Sequence, residues 1–180
     1  MNADKLIENM IDQIKEAQIK LGYVKETVHL YYPAASLNTL TGLHAEDAEE
    51  LAGILKREPA FSKTVLGPLK FSVHKGRIEV CIPPEGSEYV QHKVENPAFL
   101  VDMIKLFSEY HSCKVADVCG VFDKYSADYV CEKMPDGMDF DYVLYFRDSR
   151  IDAYYYCIKE EMGHTIYHRF TKEDYQELFK

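Results

Sequence analysis

Residues 140–170 hold the densest set of side chains in this sequence that could do chemistry, because tyrosines there alternate with charged residues. A two-residue turn at Asp148-Ser149 would pair the flanking segments as an antiparallel hairpin, with Val143 opposite Tyr154. One face would then present only charged or phenolic tips, those of Asp141, Tyr145, Arg147, Asp152, Tyr154 and Tyr156. Rigid rings with polar tips suit recognition, since they bury much area for little lost entropy. We therefore predict that this face binds a ligand or a partner.

The opposite face of the same hairpin is predicted to join the core. It would carry Phe140, Tyr142, Leu144, Phe146, Ile151, Ala153, Tyr155 and Cys157. Helices could also cover the tyrosine face, in which case its phenols would find buried hydrogen-bond partners instead of a ligand. If the tyrosine face is exposed, changing Tyr154 and Tyr156 to alanine should leave the melting temperature within a few degrees.

The next strand adds His164, His168 and Arg169 to the candidate binding residues. Two histidines four residues apart form a metal pair on a helix, but on a strand they lie about 13 Å apart, too far for one ion. His168 with Arg169 could instead bind an anion, although adjacent strand residues point to opposite faces. We predict no metal site here.

The register of that last strand depends on the turn before it. A two-residue Met162-Gly163 turn would place Tyr167 beside Ile158, whereas a three-residue loop with a bulge at the glycine would place it beside Cys157. The sequence leaves both registers open, and with them the faces that the histidines occupy.

A small-molecule enzyme is the alternative to a binding protein. In such an enzyme His164 or His168 would act as a general base near an aspartate or tyrosine, in a cleft between helices and sheet. The sequence contains no nucleophile elbow, phosphate-binding loop, dinucleotide fingerprint or zinc-protease motif. This absence favours binding over catalysis, and no cofactor is predicted.

The five cysteines lie far apart and include no CxxC pair; they are Cys81, Cys113, Cys119, Cys131 and Cys157. Their spacing argues against a disulfide framework and against a zinc site. His111, Cys113, Asp117 and Cys119 could suggest a zinc or thiol site. Cys119, however, falls on the apolar stripe of a predicted helix, where cysteine behaves as a small hydrophobic side chain.

Charge narrows the possible partners. The 180 residues carry a formal net charge of -9, and no segment is basic. Nucleic acids and anionic membranes are bound through clustered lysine and arginine, so neither is an expected partner.

The first residues include acids from Asp4 onward and no long apolar run, which predicts neither a signal peptide nor a membrane span. With reduced cysteines, these features indicate a cytoplasmic protein.

Hydrophobic spacing predicts the elements that would position these residues. Apolar residues recur at helical spacing up to Leu21, and Gly22 follows as a C-cap, so the first helix should span residues 3–21. Alternation from Leu69 predicts a hairpin around Lys75-Gly76, closed by Pro83-Pro84. Further helices are predicted at 45–57, from Asn96-Pro97 onward, at 114–124 and at 172–179, and a further strand at 129–134.

The order of these elements predicts an α+β fold. Strands grouped in runs indicate an antiparallel sheet, here an N-terminal hairpin plus a C-terminal four-stranded meander, packed with about five helices. Pro33 is expected to stop any regular element and to keep Tyr32 extended. The length suits a single domain over residues 1–180.

Four segments give the sequence a resemblance to a known family: LYYPAASLN (30–38), CIPPEGSEYV (81–90), VFDKYS (121–126) and YHRFTKEDY (167–175). At these segments the chain resembles an uncharacterised family of bacterial proteins from anaerobic gut Firmicutes, classed as a domain of unknown function. The resemblance implies a cytosolic bacterial protein with one full-length domain and no assigned activity. It carries over no catalytic residue.

Overall fold

The computed structural model describes residues 1–110 and 112–179. In that part of the chain, seven α-helices and two antiparallel sheets form two compact units, residues 1–96 and 97–180. The α+β class is confirmed, with more helices than the five expected and a three-stranded sheet in place of the first hairpin. A single domain spanning both units stays a prediction. His111, considered above for a zinc or thiol site, lies outside the described residues.

The first unit contains four α-helices, a short 3-10 helix at Pro59–Phe61 and the three-stranded sheet. The helices are α1 (Ala3–Leu21), α2 (Ala34–Thr41), α3 (Ala48–Arg57) and α4 (Pro84–Lys93). The strands are β1 (Val28–Tyr32), β2 (Lys70–His74) and β3 (Arg77–Ile82). They lie in the order β1-β3-β2, so β1 is an edge strand. Lys75 and Gly76 both have positive φ, as the predicted hairpin turn requires.

Two prolines of this unit end a strand, as expected, and also cap the helix that follows it. Pro33, with φ -60° and ψ 148°, is the N-cap of α2, and Pro83 is the N-cap of α4. Proline lacks an N–H, but the first turn of a helix has no internal partner for that group. Pro33 ends β1 as predicted, but it also starts α2, which the sequence analysis did not predict. The extended conformation of Tyr32, in β1, is confirmed.

The sheet of the first unit has one apolar and one polar face. Leu30 of β1 lies opposite Val80 of β3, on the face that packs against the helices. The buried residues of this core include Leu6, Met10, Ile14, Leu37, Leu51, Leu55, Phe71, Ile78, Val80, Ile82 and Val90. On the other face, Glu79 lies opposite Tyr31 on one side and Ser72 on the other. Such a sheet needs helices on one side only.

The second unit contains three helices and the predicted meander. The helices are α5 (Ala98–Glu109), α6 (Val115–Asp123) and α7 (Lys172–Phe179). The strands are β4 (Tyr129–Lys133), β5 (Tyr142–Phe146), β6 (Tyr155–Glu161) and β7 (His164–Phe170), in the order β4-β5-β6-β7. Both the meander and the final helix are confirmed.

Helices cover both faces of the meander. Phe99 of α5 and Phe122 of α6 pack with Phe146 and Tyr156 on one face. Tyr175 of α7 packs on the other face, in a cluster whose buried members are Met134, Val143, Cys157 and Tyr175. The open sheet face that the binding hypothesis assumed is therefore occupied by helices.

The pairing of β5 with β6 corrects the predicted hairpin. Val143 lies opposite Cys157 instead of Tyr154, a displacement of three residues. Residues 147–154 form a loop in which the Asp148 carboxylate accepts hydrogen bonds from the main chain and the guanidinium of Arg150. Because three is an odd number, the side chains of β6 exchange faces relative to the prediction.

The β6–β7 turn settles the register that the sequence left open. Met162 and Gly163 have φ of 50° and 80°, and Ile158 lies opposite Tyr167. The two-residue alternative is therefore the one found. His164 and His168 fall on the same face as Cys157, because His168 lies opposite Cys157.

Candidate functional site

The predicted binding residues of the meander are divided between its two faces. Tyr145 stacks on Tyr155 with ring centroids 4.1 Å apart, and Tyr155 stacks on Tyr175 of α7 at 4.8 Å. Desolvation raises the pKa of the Tyr155 phenol. These rings on the α7 face thus contact one another in a packed column.

Asp152, Tyr154, Tyr156 and Arg169 do come together, on the face covered by α5 and α6. Tyr156 is completely buried, and its hydroxyl donates a hydrogen bond to the Asp152 carboxylate at 3.1 Å. The Arg169 guanidinium lies 4.1 Å from the centroid of the half-buried Tyr154 ring. Burial raises the pKa of Tyr156, because a phenolate there would lose its water shell. The four side chains satisfy one another and act as a structural cluster.

The remaining predicted site residues lie at the surface. Arg147 forms an ion pair with Asp128, Nε to Oδ1 3.2 Å, between two exposed side chains. His164 and His168 are exposed, and the His168 ring lies 5.3 Å from that of Phe140. Within the described residues neither imidazole has a hydrogen bond to a carboxylate, which the enzyme alternative had required.

A cleft in the first unit brings together residues that the sequence analysis did not group. It has a volume of about 320 Å³ and lies between α1 and β1, with Ser87 of α4 at its base. β1 contributes residues of both its faces, Val28 and Leu30 as well as His29 and Tyr31, so the cleft runs along the free edge of this strand. Main-chain N–H and C=O groups on such an edge are open to a ligand.

Gln18 lines the cleft, and only one end of its side-chain amide has a hydrogen-bond partner among the described residues. It is 8% exposed, and its Nε2 donates to the Ser87 carbonyl at 3.0 Å. A carbonyl can only accept, so this hydrogen bond fixes which end of the amide is the oxygen. The Oε1 atom is buried and has no hydrogen-bond partner in the described part of the chain. Gln18, which lines the cleft, therefore carries an acceptor without a donor.

Lys15, a second polar side chain of α1, also links α1 to α4. The Nζ of Lys15 donates to the main-chain carbonyl of Val90 at 3.0 Å, near the end of α4. Burial lowers the pKa of Lys15. Lys15 and Gln18 together hold α4 beside α1, which keeps Ser87 in place at the cleft.

Exposed apolar side chains surround the opening. Leu21 is 45% exposed, Tyr23 57% and Tyr31 46%, and all three line the cleft, whereas Ile14 in its floor is buried. Lys25 adds a positive charge at the rim and also lines a neighbouring polar recess of about 270 Å³. Exposed aromatic residues that converge on a recess are typical of binding sites.

A hydrogen-bonded histidine lies at the edge of the cleft. The Glu79 carboxylate accepts from the Ser72 hydroxyl at 2.7 Å and the Tyr31 hydroxyl at 2.9 Å, and lies 3.0 Å from Nδ1 of His29. The hydrogen bond from Ser72, followed by that from Tyr31, lowers the pKa of Glu79. The carboxylate therefore stays ionised and orients the His29 ring.

Among the described residues, no helix is both long and apolar enough to cross a membrane. In the same residues, no group of three or more histidine, cysteine, aspartate or glutamate side chains is arranged to hold a metal ion.

Comparison with known families gives a match over nearly the whole chain. The family described as "Domain of unknown function, E. rectale Gene description" (DUF3877) matches residues 3–179. The chain belongs to the DUF3877 family. This confirms the resemblance drawn from the four sequence segments, and the description names a gut Firmicute. No curated protein and no solved structure matches the chain. A function for this DUF3877 member must therefore be argued from its side chains.

The sequence held one indication of the DUF3877 cleft that we did not use. Gln18 follows Ile14 by four residues on α1, so a polar side chain interrupts the buried stripe of the helix. Ala17 and Leu21, expected in the core, are exposed and line the cleft. Ser87 lies 69 residues away from Gln18, and no local pattern relates the two.

Proposed function

We propose that this protein binds a small organic molecule in the α1–β1 cleft, through a neutral N–H or O–H donor of the ligand. The unpaired Oε1 of Gln18 is the observation that carries the proposal. A buried acceptor without a partner costs about 1–3 kcal/mol, so a ligand that supplies the donor recovers that free energy on binding. The tyrosine meander is a weaker candidate because helices pack on both of its faces.

The other lining residues support the same class of ligand. A volume of about 320 Å³ is at the lower end of the range of ligand cavities, which favours a small molecule. Ile14, Leu21 and Val28 offer apolar contact. A neutral donor is favoured over an ammonium group, because none of the described residues that line the cleft carries a carboxylate to offset the desolvation of a cation.

The donor requirement can be tested with pairs of ligands that share a shape. Primary carboxamides carrying one small apolar ring should bind, and the matching methyl esters should bind about tenfold more weakly, since they leave Oε1 unpaired. Ligand-observed NMR titration gives both affinities, with amide Kd values expected at roughly 0.1–1 mM for molecules of this size. Equal affinities within every pair, or no binding by any amide, would contradict the proposal.

A matched pair of variants locates the binding. Tyr23→Ala removes an exposed ring at the cleft, whereas Tyr110→Ala removes a ring of similar exposure, 61%, that does not line it. Neither change should alter stability by more than about 0.5 kcal/mol. Tyr23→Ala should weaken amide binding at least about fivefold, and Tyr110→Ala should leave it unchanged. If both variants bind as the wild type does, the amides bind elsewhere.

Acid–base chemistry on the bound molecule is a second candidate function, supported by the pairing of His29 with Glu79. An imidazole held by a carboxylate through Nδ1 keeps Nε2 as the basic nitrogen. Esters that bind the cleft should then be hydrolysed over hours by the wild type and not by His29→Asn, at ester concentrations that saturate both proteins. The NMR samples above report this directly. Hydrolysis at the rate of buffer alone would reject catalysis and leave binding intact.

A further inference from the structure

Two cysteines of the second unit lie in contact although the sequence separates them. Cys119 on α6 and Cys131 on β4 have sulfur atoms 3.6 Å apart. Cys119 is half-buried and Cys131 is exposed, so the pair is open to solvent through Cys131. The expectation that Cys119 points into the core was thus only partly correct.

The surroundings of the pair slow the reaction of the Cys131 thiol. Tyr129, two residues before Cys131 on the same face of β4, lies close to Cys119 and Asp123 of α6. Burial, followed by the interaction with Cys119, raises the pKa of the Cys131 thiol to about 12. A protonated thiol reacts slowly, because the thiolate is the nucleophile. The Cys131 thiol is therefore a slow nucleophile near neutral pH.

We propose that Cys119 and Cys131 form a reversible disulfide, a modification site that reacts with low-molecular-weight disulfides such as oxidised glutathione. The sulfurs must approach from 3.6 Å to about 2.05 Å, which side-chain rotation can supply between thiols already in contact. The other cysteines differ: Cys113 and Cys157 are buried, and Cys81 is half-buried in the first unit. The site is independent of the α1–β1 cleft.

The reaction has two exchange steps. The Cys131 thiol loses its proton to solvent, and its sulfur attacks one sulfur of the reagent, so that a mixed disulfide forms and one glutathione thiolate leaves. The Cys119 thiolate then attacks the sulfur of Cys131, which releases the second glutathione thiolate. Two electrons pass from the protein to the reagent, and the two protons given up by the cysteines are taken up by the two glutathione thiolates. Dithiothreitol reverses the sequence.

The test is to incubate the reduced, folded protein with excess oxidised glutathione at about pH 8.5, where more thiolate is present. We expect the intact mass to fall by two hydrogens and a peptide linking residues 119 and 131 to appear. Because the second thiol is already in contact, the glutathione adduct at Cys131 should stay below about a tenth of the crosslinked form. The disulfide closes the loop of residues 119–131 and should raise the unfolding midpoint by roughly 5–10 °C.

Cysteine variants separate a pair from two independent thiols. In Cys119→Ser the reaction should stop at the first step, so a stable glutathione adduct should accumulate at Cys131. Cys81→Ser serves as the matched control and should crosslink as the wild type does. A wild-type protein that carries a lasting adduct at Cys131, or that forms disulfide-linked dimers without the internal crosslink, would overturn the proposal.

Discussion

Changing Tyr156 to alanine should lower the free energy of unfolding by about 3–5 kcal/mol, the range for truncating a large buried aromatic side chain. Tyr156 is 0% exposed, and its ring lies edge-on to Phe99 and Phe122, with centroids 5.4 and 5.9 Å apart. Alanine would leave a cavity enclosed by these rings and would remove the donor to Asp152. Urea unfolding followed by far-UV circular dichroism measures the change.

Tyr156→Phe is the control that separates the ring from its hydroxyl. It keeps the packing and removes only the hydrogen bond to Asp152, so it should cost about 1 kcal/mol.

Burial raises the pKa of Tyr156, so the native state retains its proton at a pH where the unfolded state has lost it. Stability must then fall as the pH rises above about 10, and Tyr156→Phe should reduce that fall. A loss below about 1.5 kcal/mol for Tyr156→Ala would mean that the ring lies in an open surface, as the original binding hypothesis required.

The elements that the sequence predicted well are those with a local cause. α1 ends at Gly22, which has φ 70°, and its apolar residues follow one helical period. The hairpin turns at Lys75-Gly76 and Met162-Gly163 both need positive φ, which glycine supplies. In each case the residues that determine the element lie within it or next to it, so the element can be predicted from a single sequence.

The face assignment of the meander failed for the opposite reason. Tyr154, Tyr155 and Tyr156 are consecutive, so neither face of β6 differs in polarity from the other, and the pattern does not specify a register. The pairing depends on how many residues the 147–154 loop takes up. Arg150 donates to Asp148 from both guanidinium and main chain, and this local pairing lengthens the loop. Because the tyrosines follow one another without a polar residue between them, the sequence pattern does not show which pairing of β5 with β6 forms.

Both candidate sites depend on distant contacts. Gln18 meets Ser87, and Cys119 meets Cys131, only after the helices have packed on their sheets or on each other. Proline added a second difficulty, because Pro33 and Pro83, which were expected to end regular structure, each also cap the start of a helix that the sequence analysis did not predict. Proline breaks a helix when it lies in the helix interior, but it favours a helix when it lies in the first turn. The effect of a given proline therefore depends on the residues that follow it.

Changing Gly86 to alanine should destabilise the first unit by about 3 kcal/mol or more, because a methyl group there has no space to occupy. A Cβ at this position would overlap the main-chain carbonyl oxygen of Leu66 and lie 2.7 Å from Cγ2 of Ile82. Main-chain atoms cannot rotate away as a flexible side chain can, so either α4 or the Leu66 segment must move. Thermal and urea unfolding of the purified variant measure the loss.

Gly53→Ala is the matched control, because it makes the same change within a helix of the same unit. A Cβ at Gly53 meets only the end of the Arg57 side chain at 3.7 Å, an ordinary contact, and α3 should gain about 0.5–1 kcal/mol from the better helix former. Ser87 directly follows Gly86 and accepts from Gln18, so Gly86→Ala should also abolish amide binding where Gly53→Ala preserves it. Equal stability of the two variants would mean that α4 is not packed against Leu66. Ser87 of α4 would then not be held in a fixed position beside Gln18, and the Oε1 atom of Gln18 could reorient to find a hydrogen-bond donor.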